Sequence, residues 1–185
     1  MRLFVAILFG EPVLDELARV QSHLKTSCEG VRWTPREQLH LTVKFLGEVP
    51  DGEVRGVCDA VSRAAGASAA FRVTLDGCGC FPPRGPARIV WVGLNEPSGA
   101  MLGAAKAVAS ETEQAGIPTE SRPWSAHVTI GRLREDRSGG RIREALGSCT
   151  VKRIEQPVAS LALMSSVLSP KGSTYSVVHS APLGG

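Results

Sequence analysis

Two tetrapeptides of this 185-residue chain repeat one arrangement, His40-Leu41-Thr42-Val43 and His127-Val128-Thr129-Ile130. In a β-strand successive side chains take opposite faces, so His40 and Thr42 share one face while Leu41 and Val43 take the other, and His127 and Thr129 do likewise. An imidazole beside a hydroxyl, presented twice, suits acid and base chemistry on a phosphate ester: one group takes the proton of the nucleophile, the other supplies a proton to the leaving group. Nine threonines in 185 residues put one two places after a given histidine only about one time in twenty, yet two of the four histidines have it. His23 and His179 are followed at that distance by Lys25 and Ala181 and read as ordinary structural residues. No Asp, Glu or third His repeats beside either motif to complete a three-ligand metal centre, and no Gly-x-Ser-x-Gly nucleophile turn is present, so metal-free histidine chemistry is expected.

Elements must bring the two motifs together. The apolar run Leu3 to Phe9 reads as a buried first strand rather than a signal sequence, because Gly10-Glu11-Pro12 follows with no small-x-small cleavage site. Pro12 opens a helix whose Val13, Leu14, Leu17, Val20 and Leu24 keep helical spacing, ending near Cys28 to Gly30. The His40 strand closes at Gly47, a helix runs from about Asp51, its N-cap, to Ala65, and Phe71 to Leu75 reads as a strand. Arg88 to Leu94 is another strand, Ser98 caps a helix ending near Gly116, and the His127 strand follows. From Phe4 to His40 is 36 positions and from Ile89 to His127 is 38, with strand, helix and His-x-Thr strand in the same order. Arg32-Trp33 before the first motif is echoed by Arg122-Pro123-Trp124 before the second. The pattern predicts an internal duplication. A short helix near Arg141 to Leu146 and strands near Val151 to Glu155, Ala159 to Ser165 and Tyr175 to His179 complete the chain. Gly77 to Pro86 reads as a stiff loop, too short for a tether, so residues 1–185 are expected to form one compact bilobal domain. The predicted class is α+β: two pseudo-symmetric lobes of antiparallel-rich sheet, helices on the outer faces, and a groove between them into which both histidines point.

Composition allows this. A net charge of +3 is too mild for a protein that coats nucleic acid, but permits a local basic patch on the path of an acidic substrate. Five cysteines at 28, 58, 78, 80 and 149 form neither a zinc pattern nor a disulfide framework and read as reduced, hence a cytoplasmic protein. No other apolar run approaches the roughly 20 residues of a membrane span.

The sequences His40-Leu41-Thr42-Val43-Lys44-Phe45-Leu46-Gly47 and His127-Val128-Thr129-Ile130-Gly131-Arg132 resemble those of the 2H phosphoesterase superfamily, and more narrowly the LigT-type RNA 2′,3′-cyclic phosphodiesterases, also called 2′-5′ RNA ligases. The likeness extends to Arg2-Leu3-Phe4-Val5-Ala6, Gly30-Val31-Arg32-Trp33, the Trp91 strand, Arg122-Pro123 and Ser169-Pro170-Lys171-Gly172-Ser173-Thr174-Tyr175; Trp124-Ser125-Ala126 departs from it where the family often has a Pro directly before the second His. The resemblance implies hydrolysis of an RNA 2′,3′-cyclic phosphate end to a 2′-phosphate without a cofactor or metal. It names His40 as acid and His127 as base. Thr42 and Thr129 would donate to the non-bridging phosphate oxygens, where charge develops, and Arg132 would hold the phosphate with its fork of donors. Lys44 shares the His40 face by strict alternation. Phe81, in the Pro-rich loop, is the candidate for stacking on a base, whereas Trp33, Trp91 and Trp124 are expected in the core. Arg84 and Arg88 are candidates to guide the RNA backbone. The partners implied are RNA ends with a 2′,3′-cyclic phosphate, tRNA fragments or nucleotides among them, with no membrane and a monomeric protein. The alternatives are 2′-5′ end-joining, a small cyclic nucleotide as substrate, or a non-catalytic RNA-binding module, the last disfavoured by both histidines being intact.

Overall fold

Runs rich in β-branched residues become strands and stretches of helical period become helices, in a computed structural model that describes residues 1–119, 123–169 and 172–184. Along the chain come β1 (Arg2–Leu8), α1 (Glu11–Lys25), β2 (Arg32–Trp33), β3 (His40–Glu48), α2 (Val54–Gly66), β4 (Phe71–Phe81), β5 (Ile89–Asn95), α3 (Ala100–Gln114), β6 (His127–Arg132), α4 (Arg141–Ser148), β7 (Glu155–Val158), β8 (Ser160–Ser169) and β9 (Gly172–Pro182). The strands form one sheet in the order β7-β4-β5-β6-β3-β1-β8-β9, with β2 added to β6, and every named pair is antiparallel. The α+β class holds. The two His-x-Thr strands lie side by side at the middle, where Leu41 pairs with Val128 and joins a β3-β1-β8-β9 half to a β6-β5-β4-β7 half. No helix among the described residues is long and apolar enough to cross a membrane.

The helices share one face of the sheet. Leu17, Val20 and Leu24 of α1, Val57 and Val61 of α2, Val108 of α3 and Ile142 of α4 pack with Val5, Leu41, Val90, Val128 and Leu163 in one continuous core. The opposite, open face carries a smaller cluster of buried apolar residues, Phe4, Ala6, Ala162 and Met164, with Tyr175 packed against it. Alternation therefore works as expected at Leu41 and Val128: their side chains enter the core, and those of the flanking motif residues stand on the open face.

Bulges interrupt that alternation at matching points. In β3, Thr42 pairs with Ala6 and Lys44 with Val5, so Val43 is an extra residue; in β6, Thr129 pairs with Trp91 and Gly131 with Val90, so Ile130 is extra. A bulge shifts the period by one and bends the strand. Lys44 consequently turns to the helix side, where it is 8% exposed and its Nζ donates to Thr112 Oγ1 of α3 at 2.8 Å, correcting the expectation that it shares the His40 face. In β6 the same shift returns the next residue, Arg132, to the open face beside Thr129. Each bulge is tied to the helix of the other strand-helix-strand unit: Gln21 Nε2 of α1 donates to Ile130 O of β6, while Lys44 of β3 reaches α3.

Other boundaries differ for identifiable reasons. β4 continues to Phe81 through the segment expected as loop, because Gly79 lets the strand press on the Trp91 ring; a Cβ there would lie 2.5 Å from Trp91 Cζ2. A bulge between Leu75 and Cys78, with Gly77 at φ +66°, restores the register. β7 starts at Glu155 rather than Val151 and includes Pro157, which a sheet-edge strand tolerates. The strands expected at Ala159 to Ser165 and Tyr175 to His179 form a longer hairpin, β8 and β9. Asp51 opens a 3₁₀ turn, Asp51–Glu53, with no side-chain cap bond, and α3 begins at Ala100 with the Glu96 carboxylate accepting from Met101 N–H at 2.9 Å. Ser98 Oγ accepts only from Ala100 N–H, at 3.2 Å.

Candidate active site

The four motif residues surround the Leu41–Val128 pair on the open face. Extending that register sets His40 opposite Thr129 and Thr42 opposite His127. The histidines are thus diagonal neighbours, on the order of 7 Å apart at Cβ, a separation that leaves room for one tetrahedral phosphate between two imidazoles.

Both rings are oriented the same way. His40 Nδ1–H donates to Gln38 O at 2.7 Å and His127 Nδ1–H to Ser125 O at 2.9 Å, in each case the carbonyl two residues earlier. The proton fixed on Nδ1 leaves Nε2 of the neutral ring as the basic nitrogen. His40 Nε2 lies 3.0 Å from Thr42 Oγ1, so the ring's protonation state sets the hydroxyl direction: neutral His40 accepts the Thr42 proton, and protonated His40 donates to the oxygen and frees that proton for another acceptor.

An aromatic ring meets each imidazole edge-on. Tyr175 of β9 does so at His40, 5.5 Å away with an 86° interplanar angle, and Phe4 packs beneath both. Phe81 does so at His127, 5.1 Å away at 83°, and lies 5.4 Å from Trp91. Trp91 thus floors the open face rather than joining the core as expected, with its indole N–H buried and without a hydrogen-bond partner among the described residues. Trp33 and Trp124 do pack against the core, and Trp124 Nε1 donates to Thr42 O at 3.1 Å, bracing one motif strand from the approach to the other.

Burial pushes the His40 pKa below its ordinary value, the Gln38 carbonyl opposes this, and the Arg132 charge adds to the lowering. Arg132 therefore stands within electrostatic reach of His40, gathered at the site with both His-x-Thr pairs. Lys44 is not. Arg88 commits Nη1 to the Arg134 carbonyl, and Arg84 is exposed on the loop before β5. Arg122, Pro170 and Lys171 lie outside the described residues. The sequence reading gave no role to Tyr175, Phe4 or the Gln38 and Ser125 carbonyls, although Phe4 and Tyr175 lie in stretches that carry the family likeness. Among the described residues no group of three His, Cys, Asp or Glu side chains could hold a metal ion. The arrangement can take one proton and give another across an anion set between the two imidazoles.

Comparison with known proteins fits this geometry. Residues 8–91 match the LigT like Phosphoesterase family model. An RNA 2′,3′-cyclic phosphodiesterase of Thermus thermophilus is 34% identical over 190 residues, covering 100% of this chain and 91% of the relative, and one from Methanothermobacter thermautotrophicus is 28% identical over 176 residues, 95% of each. The crystal structure of TT0787 of Thermus thermophilus superposes with a TM-score of 0.82 at 30% identity, covering 100% of this chain and 99% of that one. With similarity running the full length and both motifs inside it, the chain belongs to the LigT-like phosphoesterases of the 2H superfamily.

Proposed function

We propose that the protein hydrolyses a 2′,3′-cyclic phosphate at an RNA end to a 2′-phosphate. The observation that carries this reading is the pair of like-oriented imidazoles, each beside a threonine hydroxyl, on one open face with Arg132. The names of the relatives support cyclic-phosphate hydrolysis on RNA. Water attacks phosphorus as neutral His127 takes its proton at Nε2. The bond from phosphorus to the ribose 3′ oxygen breaks, and protonated His40 gives that oxygen its proton. Thr42, Thr129 and Arg132 stabilise the charge that builds on the non-bridging oxygens. In the empty site the Nε2–H of protonated His40 points to Thr42 Oγ1; with substrate bound it turns to the ribose 3′ oxygen, and the Thr42 hydroxyl is free to donate to the phosphate. The lowered His40 pKa makes the protonated form scarce in the empty site, and a bound phosphate anion, acting against the Arg132 charge, favours it. Phe81, standing against His127, is the surface on which the terminal base stacks. The matching bulges support a one-domain protein of two duplicated lobes, and its five free cysteines fit the reducing setting of the cytoplasm.

EDTA-treated protein incubated with nucleoside 2′,3′-cyclic phosphates and cyclic-phosphate-ended RNA tests the reading. A 2′-phosphate product is expected. A 3′-phosphate product, strict metal dependence, or full activity in both His40→Ala and His127→Ala overturns it.

A further inference from the structure

Arg32 of β2 stands directly opposite Arg132 of β6. Opposite residues of an antiparallel pair share a face, so the bulge that returns Arg132 to the open face places Arg32 beside it. Like charges set across a ladder repel. Among the described residues neither guanidinium has a carboxylate in ion-pair range, whereas Arg19, Arg36, Arg63, Arg72 and Arg137 each have one. Both members of the opposed pair are exposed. Arg32 also has a seat: its Nη2 would lie 3.0 Å from a Cβ on Gly172, and Gly172, at φ +129°, presents bare backbone there. Gln38 Nε2 donates to Ser173 O at 2.6 Å and ties the start of β9 to the segment that presents His40. Two cations left without an acidic partner, one by the reacting centre and one about a strand spacing further out, match two successive anions of one chain.

We propose that Arg32 binds the phosphodiester on the 5′ side of the terminal nucleotide while Arg132 holds the cyclic phosphate, so that the RNA strand leaves the site over β2 and the start of β9 at Gly172. The inference rests on the phosphodiesterase reading. It makes an oligonucleotide, rather than a nucleoside cyclic phosphate, the preferred substrate.

Calorimetric binding of a trinucleotide ending in a 2′-phosphate, set against a nucleoside 2′-phosphate, tests it without requiring turnover. Arg32→Gln should weaken the trinucleotide at least about tenfold more than the nucleoside phosphate, the loss of one charge-assisted contact. It should also flatten the slope of log K against log salt for the trinucleotide by about 0.7, the single-strand value for one phosphate contact. Arg32→Lys should keep the slope and lose part of the affinity with the planar fork. Equal weakening of both ligands, an unchanged slope, or a wild-type protein without preference for the trinucleotide overturns the proposal. If the wild-type protein prefers the trinucleotide but leaves cyclic ends intact, the phosphodiesterase reading fails and the binding comparison still decides on Arg32.

Discussion

Replacing Gln21 by Met probes whether the β6 bulge is held from behind. The side chain is 6% exposed, and its Nε2 donates to Thr34 O and Ile130 O, each at 2.8 Å. Met has a similar length and volume but no donor. Ile130 O retains a bond from Thr34 N–H at 3.0 Å, so the carbonyl left without a donor is that of Thr34. Thr34 is half-buried, so stripping its carbonyl costs at most the about 1–3 kcal/mol of a fully buried group, and at roughly 2–4 °C per kcal/mol for a chain of this size the melting temperature should fall by up to about 12 °C. Because the bulge turns Arg132 to the open face, kcat/KM on a nucleoside 2′,3′-cyclic phosphate should fall as well, by no more than the roughly 10- to 100-fold expected of Arg132→Gln itself. Circular-dichroism melting and steady-state kinetics on both single variants and the double variant make a cycle. In the Arg132→Gln background, Gln21→Met should still cost stability but little further activity. An equal activity loss in both backgrounds, or an unchanged melting temperature, would refute the reasoning.

His40→Ala and His127→Ala should each lower kcat by about 10²- to 10⁴-fold, and the double variant should fall little below the worse single, since acid and base act in one step; additive losses would contradict this. The lowered His40 pKa means that the folded protein binds fewer protons there than the unfolded chain, so its contribution to stability is full above pH 6.5 and is lost as pH falls through the lower folded value. The melting-temperature gap between wild type and His40→Asn should therefore shift against the wild type between pH 7 and pH 5, and a constant gap would count against burial as the cause. In kinetics the high-pH limb assigned to His40 should lie further toward alkaline pH in kcat than in kcat/KM, because the bound phosphate opposes Arg132; coincident limbs would argue against His40 as the acid. Gly131→Ala should destabilise by about 1–3 kcal/mol in thermal melts, because its Cβ would lie 2.6 Å from Val31 Cγ1.

Period-two alternation was enough to place His40, Thr42, His127 and Thr129 on one face, since the motif residues lie on the unbulged side of each strand. It failed at Lys44 for a reason local pattern cannot carry: a bulge exists only relative to the partner strand, and nothing in Val43-Lys44 announces it. Strict alternation would also have turned Arg132 away, and only its resemblance to a family arginine kept it at the site. Glycine misled in β4, where Gly77 and Gly79 suggested a loop although the second makes space for an indole from the neighbouring strand. Arg32 was legible as half of an echo with Arg122 and within the Gly30 to Trp33 likeness; its nearness to Arg132 required knowing that β2 pairs with β6.

The exchange of anchors between the two strand-helix-strand units also bears on synthesis. Gln21 waits for Ile130, 109 residues later, and Lys44 for Thr112, 68 residues later. At roughly 5–20 residues per second, the first of these delays lasts about 5–20 s, during which the emerging chain holds a complete first motif whose surroundings do not yet exist. The bulge of the first motif strand has no helix anchor before the second unit has been made, so a truncated translation product should carry His40 and Thr42 yet have no working site.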